Sequence, residues 1–304
     1  MRARLHAPSL AATLIALLPI AGCVAGVGEP IVRTDGSSTV YPMAEALAEA
    51  YREVEPFSRV VVSRSGTGGG LSRLCAGEID IAHASRPPTA AEEANCAGGG
   101  IELVLLPLAL DGVSVVTHRD NAFVDCLTLD ELRRIWAPGS AVRTWRDIRA
   151  EFPNRPLELF GAGPGSGTFD SFTDAVVGRR AASRTDYQAS EDDNVLVQGV
   201  AGDPGALGYF GYGYVVANRD RLKLLAVDGG NGCVLPDPST IASGRYRPLS
   251  RSLYLVVSRS ALTRAVVRDY LDFVLEQAPE AARRTGSIAL PDSEYRRLRA
   301  ELEA

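Results

Sequence analysis

Short apolar runs alternate with segments of helical periodicity along most of this chain of 304 residues. After the apolar run at residues 31–34, Met43, Leu47 and Tyr51 recur on one face of a helix, and Pro42 suits the first turn of that helix. Such alternation is typical of an α/β protein. The apolar runs predict strands over residues 31–34, 59–63, 79–84, 101–108, 112–117, 157–160, 222–227 and 252–257.

Other segments carry specific helix signals. Thr89 is followed three residues later by Glu92, and Thr128 by Glu131, so each pair fits a capping box and is expected to begin a helix. In both pairs the two side chains can satisfy each other's backbone N–H group. Apolar periodicity predicts further helices over residues 169–177, 261–277 and 293–303.

Two conspicuous features have plain structural explanations. The aromatic stretch 207–214 alternates Tyr with Gly and suits a packed strand. The paired acids Asp192 and Asp193 are expected to cap a helix that begins near Asn194. Sugar stacking or calcium binding would each need further ligands that the sequence does not offer.

Three turns rich in Gly, Ser and Thr each follow an apolar run and precede a helical segment. Small residues let the backbone approach a ligand closely, and free N–H groups at the start of a helix carry positive potential. Hydroxyl groups add further hydrogen-bond donors. Three such turns in one chain predict a cradle for an anion. They lie at residues 35–39, 65–70 and 163–168.

The first residues predict export. Two arginines precede an apolar run over residues 10–20 that is short for a retained membrane-spanning helix, so residues 1–22 are expected to form a signal peptide. The run ends in small residues before Cys23, which resembles a bacterial lipobox with Cys23 as the lipidated residue. A plain secretory signal with an incidental cysteine is the alternative. Acyl chains would hold the protein at a membrane surface, with residues 23–30 as a flexible tether.

The charge balance argues against nucleic acid as a partner. Lys and Arg total 32 against 37 for Asp and Glu, a formal net charge of -5, and removal of Arg2 and Arg4 with the signal peptide would make it -7. A negative surface repels a large polyanion. A small anion can still bind in a cleft, because local N–H groups and one buried arginine set the potential there.

Four cysteines besides Cys23 point to disulfide bonds. An even number in an exported chain favours two bridges, for which three pairings exist. A metal site is the competing interpretation, but the sequence has no CxxC motif and only two histidines after the signal peptide. We therefore expect neither a metal nor a cofactor. The four are Cys75, Cys96, Cys126 and Cys233.

Five stretches together resemble the phosphate-binding proteins of bacterial phosphate ABC importers, the PstS family. They occur in the family's order and at its spacing between about Ile31 and Tyr254. The combination is specific, because no single common motif carries it. The stretches are DGSSTVYP (35–42), SGTGGG (65–70), GEIDIAHASRP (77–87), SGTFDSF (166–172) and SEDDNVLVQGV (190–200).

The resemblance implies a type II periplasmic-binding-protein fold, in which two α/β lobes joined by two crossing strands close on the anion. Lobe 1 would hold residues 31–116 plus 253–304, and lobe 2 residues 117–252. Keeping each bridge within one lobe selects the bond between Cys75 and Cys96 and the bond between the other two cysteines. The implied function is the capture of inorganic phosphate in the periplasm or at the outer face of the cell membrane. Delivery to the permease and ATPase subunits of an importer would follow, with the lipid anchor as the only membrane contact.

Carried over by position, the resemblance implies a ligand set from all three turns. The best-studied branch of the family has an Arg at the position of Ala162 and an Asp at the position of Arg86. We therefore expect the charged partners to be exchanged, with the Arg86 guanidinium matching phosphate oxygens. The alternatives are an Arg paired with a nearby acid and hydroxyls that merely cap helices. The implied ligands are Ser37, Ser38, Thr39, Thr67, Arg86, Ser166, Gly167 and Thr168.

The missing Asp leaves the phosphate proton without an obvious acceptor. Hydrogen phosphate can donate its proton to a buried carboxylate, whereas sulfate would only be repelled by that carboxylate. Asp35, Asp170 and Asp186 are the candidates, although each also suits a capping or ion-pairing role.

Two other classes of function compete with a transport component. A serine hydrolase built on Ser166 would need the motif G-x-S-x-G, but Pro164 and Thr168 occupy the glycine positions. His83 lies in a predicted core strand, where a structural role is expected. The chain is therefore predicted not to be an enzyme. A lipoprotein that senses phosphate or another oxyanion would use the same site.

Overall fold

The structure, a computed structural model, describes residues 30–303. The predicted signal peptide, the lipidation site Cys23 and all but the last residue of the predicted tether lie outside the described residues. Within residues 30–303 no helix is both long enough and apolar enough to cross a membrane.

Strands and helices alternate along the described chain. The strands are β1 (Ile31–Gly36), β2 (Arg59–Val62), β3 (Ile81–Ala84), β4 (Leu103–His118), β5 (Cys126–Thr128), β6 (Glu158–Ala162), β7 (Gln188–Ser190), β8 (Ala206–Gly211), β9 (Leu222–Leu224), β10 (Ala226–Asp228), β11 (Cys233–Val234), β12 (Ser250–Ser258) and β13 (Ile288–Ala289). The helices are α1 (Tyr41–Val54), α2 (Gly66–Cys75), α3 (Ala90–Gly98), α4 (Leu129–Trp136), α5 (Trp145–Ile148), α6 (Gly167–Phe172), α7 (Asp193–Gly202), α8 (Tyr212–Ala217), α9 (Pro238–Ala242), α10 (Ala265–Thr285) and α11 (Asp292–Glu303). A π-helical turn (Thr173–Val177) follows α6, and a 3-10 turn (Ala261–Thr263) precedes α10.

Strand β4 connects two halves of one sheet whose order is β2-β1-β3-β12-β4-β8-β6-β7. Residues 103–112 of β4 pair with β12, while residues 113–118 pair with β8 and β9. We call β1, β2, β3 and β12 with their helices the first half, and β6, β7, β8 and β9 with theirs the second half. The chain crosses from one half to the other in β4 and returns at the start of β12. This is the type II periplasmic-binding-protein fold that the sequence predicted.

Each half has its own hydrophobic core. In the first half, α1 and α10 pack on the sheet through residues such as Leu47 and Leu271. In the second half, the ring of Phe172 stacks on Tyr209 at 3.7 Å, and Trp136 meets Tyr209 edge-on at 4.8 Å. This aromatic packing holds α6, and so the turn that precedes it, in a fixed position.

Two disulfide bonds stabilise these elements. Cys75 is bonded to Cys96 and joins α2 to α3, while Cys126 is bonded to Cys233 and joins β5 to β11. The pairing expected from the two-lobed organisation is confirmed.

The structure corrects several predicted boundaries. The two strands expected over 101–108 and 112–117 form the single strand β4, because Asp111 is buried and paired within the sheet instead of ending a strand. The strand expected over 222–227 divides into β9 and β10, which pair with different partners. The aromatic stretch 207–214 is a strand only as far as Gly211, and α8 begins at the next residue, Tyr212.

Both capping boxes are confirmed. The hydroxyl of Thr89 accepts the N–H of Glu92 at 3.2 Å, and the Glu92 carboxylate accepts the N–H of Thr89 at 2.7 Å. Thr128 and Glu131 make the same reciprocal pair, so α3 and α4 begin where the sequence predicts.

Candidate functional site

The three Gly/Ser/Thr turns meet between the two halves of the sheet. Each follows the carboxyl end of a parallel strand, namely β1, β2 or β6, where ligands of open α/β sheets usually bind. The Thr39 hydroxyl lies 3.2 Å from the Thr168 hydroxyl, which joins the first turn to the third. The N–H of Gly68 donates to the carbonyl of Gly165 at 3.0 Å, which joins the second turn to the third. The structure thus brings together turns that are far apart in sequence.

Asp35 fixes the first turn to the second. Its buried carboxylate accepts the N–H of Gly36 at 2.7 Å, the N–H of Ser65 at 2.9 Å and the Ser65 hydroxyl at 3.0 Å. Arg73 also pairs with it. Because these donors occupy both oxygens, Asp35 is a structural residue and not a free proton acceptor.

Glycine is required where the turns touch. Gly66 has φ +83°, and a Cβ there would lie 2.8 Å from the Gly165 carbonyl oxygen. A Cβ on Gly167 would lie 2.5 Å from the Ser85 hydroxyl and 2.7 Å from the Thr67 hydroxyl. A larger residue at position 167 would therefore press on both hydroxyls across the cleft and force them to shift.

The predicted hydroxyl ligands are all buried in this region, but their bonding differs. Ser166 caps α6, since its hydroxyl accepts the N–H of Thr168 at 3.0 Å. The Thr67 hydroxyl accepts the N–H of Ser85 at 3.2 Å. In the first turn, the N–H of Ser37 donates to the His83 carbonyl at 2.9 Å, which orients the residues that precede α1.

Arg251, which the sequence analysis missed, supplies the positive charge at the centre of the site. Its side chain is only 8% exposed, and one terminal nitrogen, Nη2, donates to the hydroxyls of Thr39 at 3.1 Å and Thr168 at 2.9 Å. The other, Nη1, is buried with no hydrogen-bond partner among the described residues. A buried guanidinium N–H without a partner is costly, so this nitrogen is suited to an anionic ligand.

Asp111 holds Arg251 in place. Arg251 lies opposite Asp111 in the pairing of β12 with β4, and the Asp111 carboxylate accepts Nε at 3.0 Å and Nη2 at 2.8 Å. Burial raises the pKa of Asp111, although Arg251 and the N–H of Tyr212 act to lower it. A charged pair at the middle of the two crossing strands was the sequence signal. The predicted strands do not contain this pair, because Asp111 lies between the strands predicted over 101–108 and 112–117, and Arg251 lies one residue before the strand predicted over 252–257.

Arg86 lies beside the cleft, but its charge is already paired. Its Nε donates to Asp170 across the two halves, and its terminal nitrogens donate to both oxygens of Glu92 at 2.8 and 2.9 Å. Burial opposes the charged form, yet these carboxylates raise the pKa of Arg86. The structure thus places Arg86 in the ion-pairing role that was its alternative, and Arg251 is the better candidate for an anion's partner.

The remaining candidates for a proton acceptor are also engaged. Asp170 pairs with Arg86. Asp186 pairs with Arg184, which lowers the pKa of Asp186 to about 2. The buried carboxylate without such a partner is instead Asp193, of which neither oxygen makes a normal hydrogen bond to any residue from 30 to 303.

His83 offers no support for hydrolase chemistry. It is buried in β3, and burial lowers its pKa to about 4, so the imidazole is neutral at physiological pH. Its Nδ1 has no hydrogen-bond partner within the described chain, and the Ser166 hydroxyl is bonded to the backbone of α6. No nucleophile–base pair is formed at this turn among the residues described.

A groove of about 340 Å³ leads to the site from solvent. Its lining includes Arg86, Arg251 and the exposed Arg180, for which no ion pair is found within residues 30–303. The exposed Asp174 also lines the groove, and Arg180 is the lining arginine whose charge is not already neutralised by an ion pair within residues 30–303.

Comparison with known proteins places this chain in a family. A model of the PBP superfamily domain matches residues 23–278. The protein SphX of Synechocystis is 40% identical over 282 residues, covering 92% of this chain and 84% of its own. The phosphate-binding protein PstS of Staphylococcus saprophyticus is 34% identical over 282 residues, covering 91% and 86%. The fold and the superfamily match define a periplasmic-binding-protein-like protein.

Solved structures agree with this result. A possible phosphate-binding protein from Planctomyces limnophilus is 41% identical, with a TM-score of 0.67 and coverage of 90% of this chain and 98% of its own. A putative phosphate ABC transporter substrate-binding protein from Clostridium perfringens, solved with bound phosphate, is 25% identical with a TM-score of 0.74 and coverage of 86% and 100%. The chain belongs to the PstS family of phosphate-binding, ABC-transporter substrate-binding proteins, which are not enzymes.

Proposed function

We propose that this protein captures inorganic phosphate between the two halves of its sheet, outside the cytoplasm, and delivers it to an ABC importer. The observation that carries the proposal is the buried Arg251 guanidinium, which joins the first and third turns and keeps one terminal nitrogen unpartnered. Ligand contacts are proposed for the hydroxyls and N–H groups of the predicted set. Arg251 takes the charged role first assigned to Arg86.

The energetics of such a cradle are sufficient. A micromolar dissociation constant corresponds to about -8 kcal/mol. Hydrogen bonds to charged groups contribute roughly 1.5–3 kcal/mol each, so about five well-aimed donors suffice even after losses to ordering and desolvation. Three turns and one guanidinium offer more than five donors.

Contacts between the halves suggest how the protein would close on phosphate. Arg64 forms an ion pair with Asp192, and the Tyr214 hydroxyl donates to the Ser38 carbonyl at 2.8 Å. We propose that these contacts form on closure and that the moving lobes are those expected above, with the hinge in β4 and at the start of β12. Both crossing strands would bend next to Asp111 and Arg251.

The location and partners follow from the same proposal. We infer that Cys23 carries the lipid that holds the protein at a membrane surface, and two disulfide bonds suit an oxidising compartment outside the cytoplasm. The partners would be the permease and ATPase subunits of a phosphate importer. A test of delivery is whether the phosphate-loaded protein stimulates ATP hydrolysis by the reconstituted importer more than the ligand-free protein does.

Calorimetry tests the binding step. The chain with Cys23→Ser, purified without lipid, would be titrated with phosphate, arsenate, sulfate and molybdate. We expect phosphate and arsenate to bind with micromolar or tighter dissociation constants and sulfate far more weakly. Comparable binding of sulfate would indicate a general oxyanion carrier, and no binding of any of the four would refute the proposal.

A further inference from the structure

Asp193 is a buried acid that the fold does not use. It is the first residue of α7 and is 1% exposed. Its neighbour Asp192 does the capping, since the Asp192 carboxylate accepts the N–H of Asn194 at 2.9 Å and pairs with Arg64. Neither oxygen of Asp193 has a normal hydrogen bond within residues 30–303. Buried carboxyl groups are nearly always bonded, so one without a partner calls for a ligand.

The surroundings of Asp193 place it at the anion cradle. The Arg251 guanidinium and the Ser38 hydroxyl lie close enough to lower its pKa, which ties it to the proposed phosphate ligands. Burial outweighs them and raises the pKa of Asp193 to about 7. The other charged or titratable groups around it are Asp111, Asp192, Tyr209 and Tyr214, and Arg64 pairs with the adjacent Asp192.

Glu191 is the other carboxylate near the turns, but it has a structural task. One of its oxygens accepts the N–H of Gly165 at 2.8 Å and so holds the third turn. Asp35 and Asp170 are engaged by their own donors, as described above. The second oxygen of Glu191, Oε2, is also buried without a partner within residues 30–303, but Asp193 is the acid for which both oxygens lack one and on which the Arg251 charge acts.

We propose that Asp193 hydrogen-bonds the protonated oxygen of bound phosphate and in this way excludes sulfate. The inference rests on the proposed function. Hydrogen phosphate carries an O–H group that can donate to a carboxylate, whereas sulfate has only acceptor oxygens and meets that carboxylate as a repulsion. When Asp193 is itself protonated, its O–H can donate to either anion. Discrimination against sulfate therefore depends on the ionised form of this one residue.

This mechanism makes the selectivity depend on pH. Below pH 7 the side chain carries a proton and accepts both anions as ligands. Above pH 7 sulfate must bind against the carboxylate or restore its proton, so between pH 5.5 and 8.5 sulfate affinity is expected to fall roughly thirtyfold. Phosphate can supply the proton itself, and its affinity is expected to change less.

The experiment is calorimetry with inorganic phosphate and with sulfate at pH 5.5, 7 and 8.5, on the parent chain and on Asp193→Asn. The amide can donate an N–H to either anion at every pH. We expect Asp193→Asn to bind sulfate at least tenfold more tightly than the parent at pH 8.5, with a sulfate affinity that no longer falls between pH 5.5 and 8.5.

Asp192→Asn is the matched control. It alters the adjacent carboxylate, and although its loss of the pair with Arg64 can weaken both anions, the ratio between them should keep the parent's pH dependence. A phosphate-to-sulfate affinity ratio in Asp193→Asn that equals the parent's at every pH would overturn the inference. An equal loss of affinity for both anions would also overturn it, because a purely structural role would cause that loss. Should the variant not fold, the parent alone decides, since equal sulfate affinity at pH 5.5 and 8.5 is incompatible with the mechanism. Absence of phosphate binding by the parent would instead refute the proposed function.

Discussion

Two buried arginines lie between the halves of this protein, and their environments differ in one decisive respect. Arg86 donates to two carboxylates, Asp170 and Glu92, so its charge is neutralised within the protein. Arg251 has one carboxylate, Asp111, and a terminal nitrogen that no residue in the described chain accepts. Burial of an arginine therefore does not by itself identify it as an anion-binding residue. An unpaired N–H group next to other donors does.

The largest expected effect is on Arg251. Arg251→Gln removes the charge that meets the anion, and truncating one member of a buried charged pair costs about 2–5 kcal/mol, so phosphate affinity should fall at least about thirtyfold. Arg251→Lys should recover part of it, because an ammonium group keeps the charge but loses the fork. Calorimetry measures both, with thermal unfolding to confirm the fold. Affinity within threefold of the parent in folded Arg251→Gln would remove Arg251 from the site.

The next effect tests how closely the halves must approach beside Arg86. An added methyl group in Gly167→Ala would press on the Ser85 and Thr67 hydroxyls across the cleft, so phosphate affinity should fall by about tenfold. Gly98→Ala is the control, since a Cβ there has no atom within 4 Å. An equal loss in both variants would show that helix stability, and not closure, is responsible.

Arg86 should affect stability more than binding. Arg86→Gln leaves Asp170 and Glu92 without their partner, and breaking a largely buried ion pair lowers the free energy of unfolding by roughly 3 kcal/mol. Phosphate affinity should change by less than about tenfold, through weaker closure alone. Urea unfolding and calorimetry separate the two quantities.

A double-mutant cycle sharpens the same point. The double variant with Arg86→Gln and Asp170→Asn should lose less free energy of unfolding than the sum of the losses in the two single variants. Each substitution removes the same interaction, which can be lost only once. A thirtyfold loss of affinity in a folded Arg86→Gln would reinstate Arg86 as the ligand first expected from the sequence.

The smallest effect concerns Arg180 at the mouth of the groove. Arg180→Glu should slow phosphate association by about threefold at low salt, because it reverses a charge along the entry path. High salt should abolish the difference by screening. The exposed neighbour Arg179 does not line the groove, so Arg179→Glu is the matched control in stopped-flow measurements. Equal slowing by both variants would point to net charge instead of a local effect.

Local chemistry was enough to predict much of this protein from its sequence. Capping boxes act within one turn of a helix, so Thr89 and Thr128 mark the starts of α3 and α4 without reference to the rest of the fold. The strand-to-turn-to-helix pattern likewise located the three turns of the cradle. The family resemblance then implied the two-lobed organisation and, through it, the disulfide pairing.

Tertiary structure alone decided the electrostatics of the site. A sequence cannot tell which carboxylate a given guanidinium will meet, because Arg86 meets Asp170 only once the two halves are assembled, and Arg251 meets Asp111 only once β12 pairs with β4. The same holds for two adjacent acids. Asp192 caps α7 and pairs with Arg64. Asp193, one residue further, has a buried carboxylate without a hydrogen-bond partner within residues 30–303, because successive helical residues face different directions.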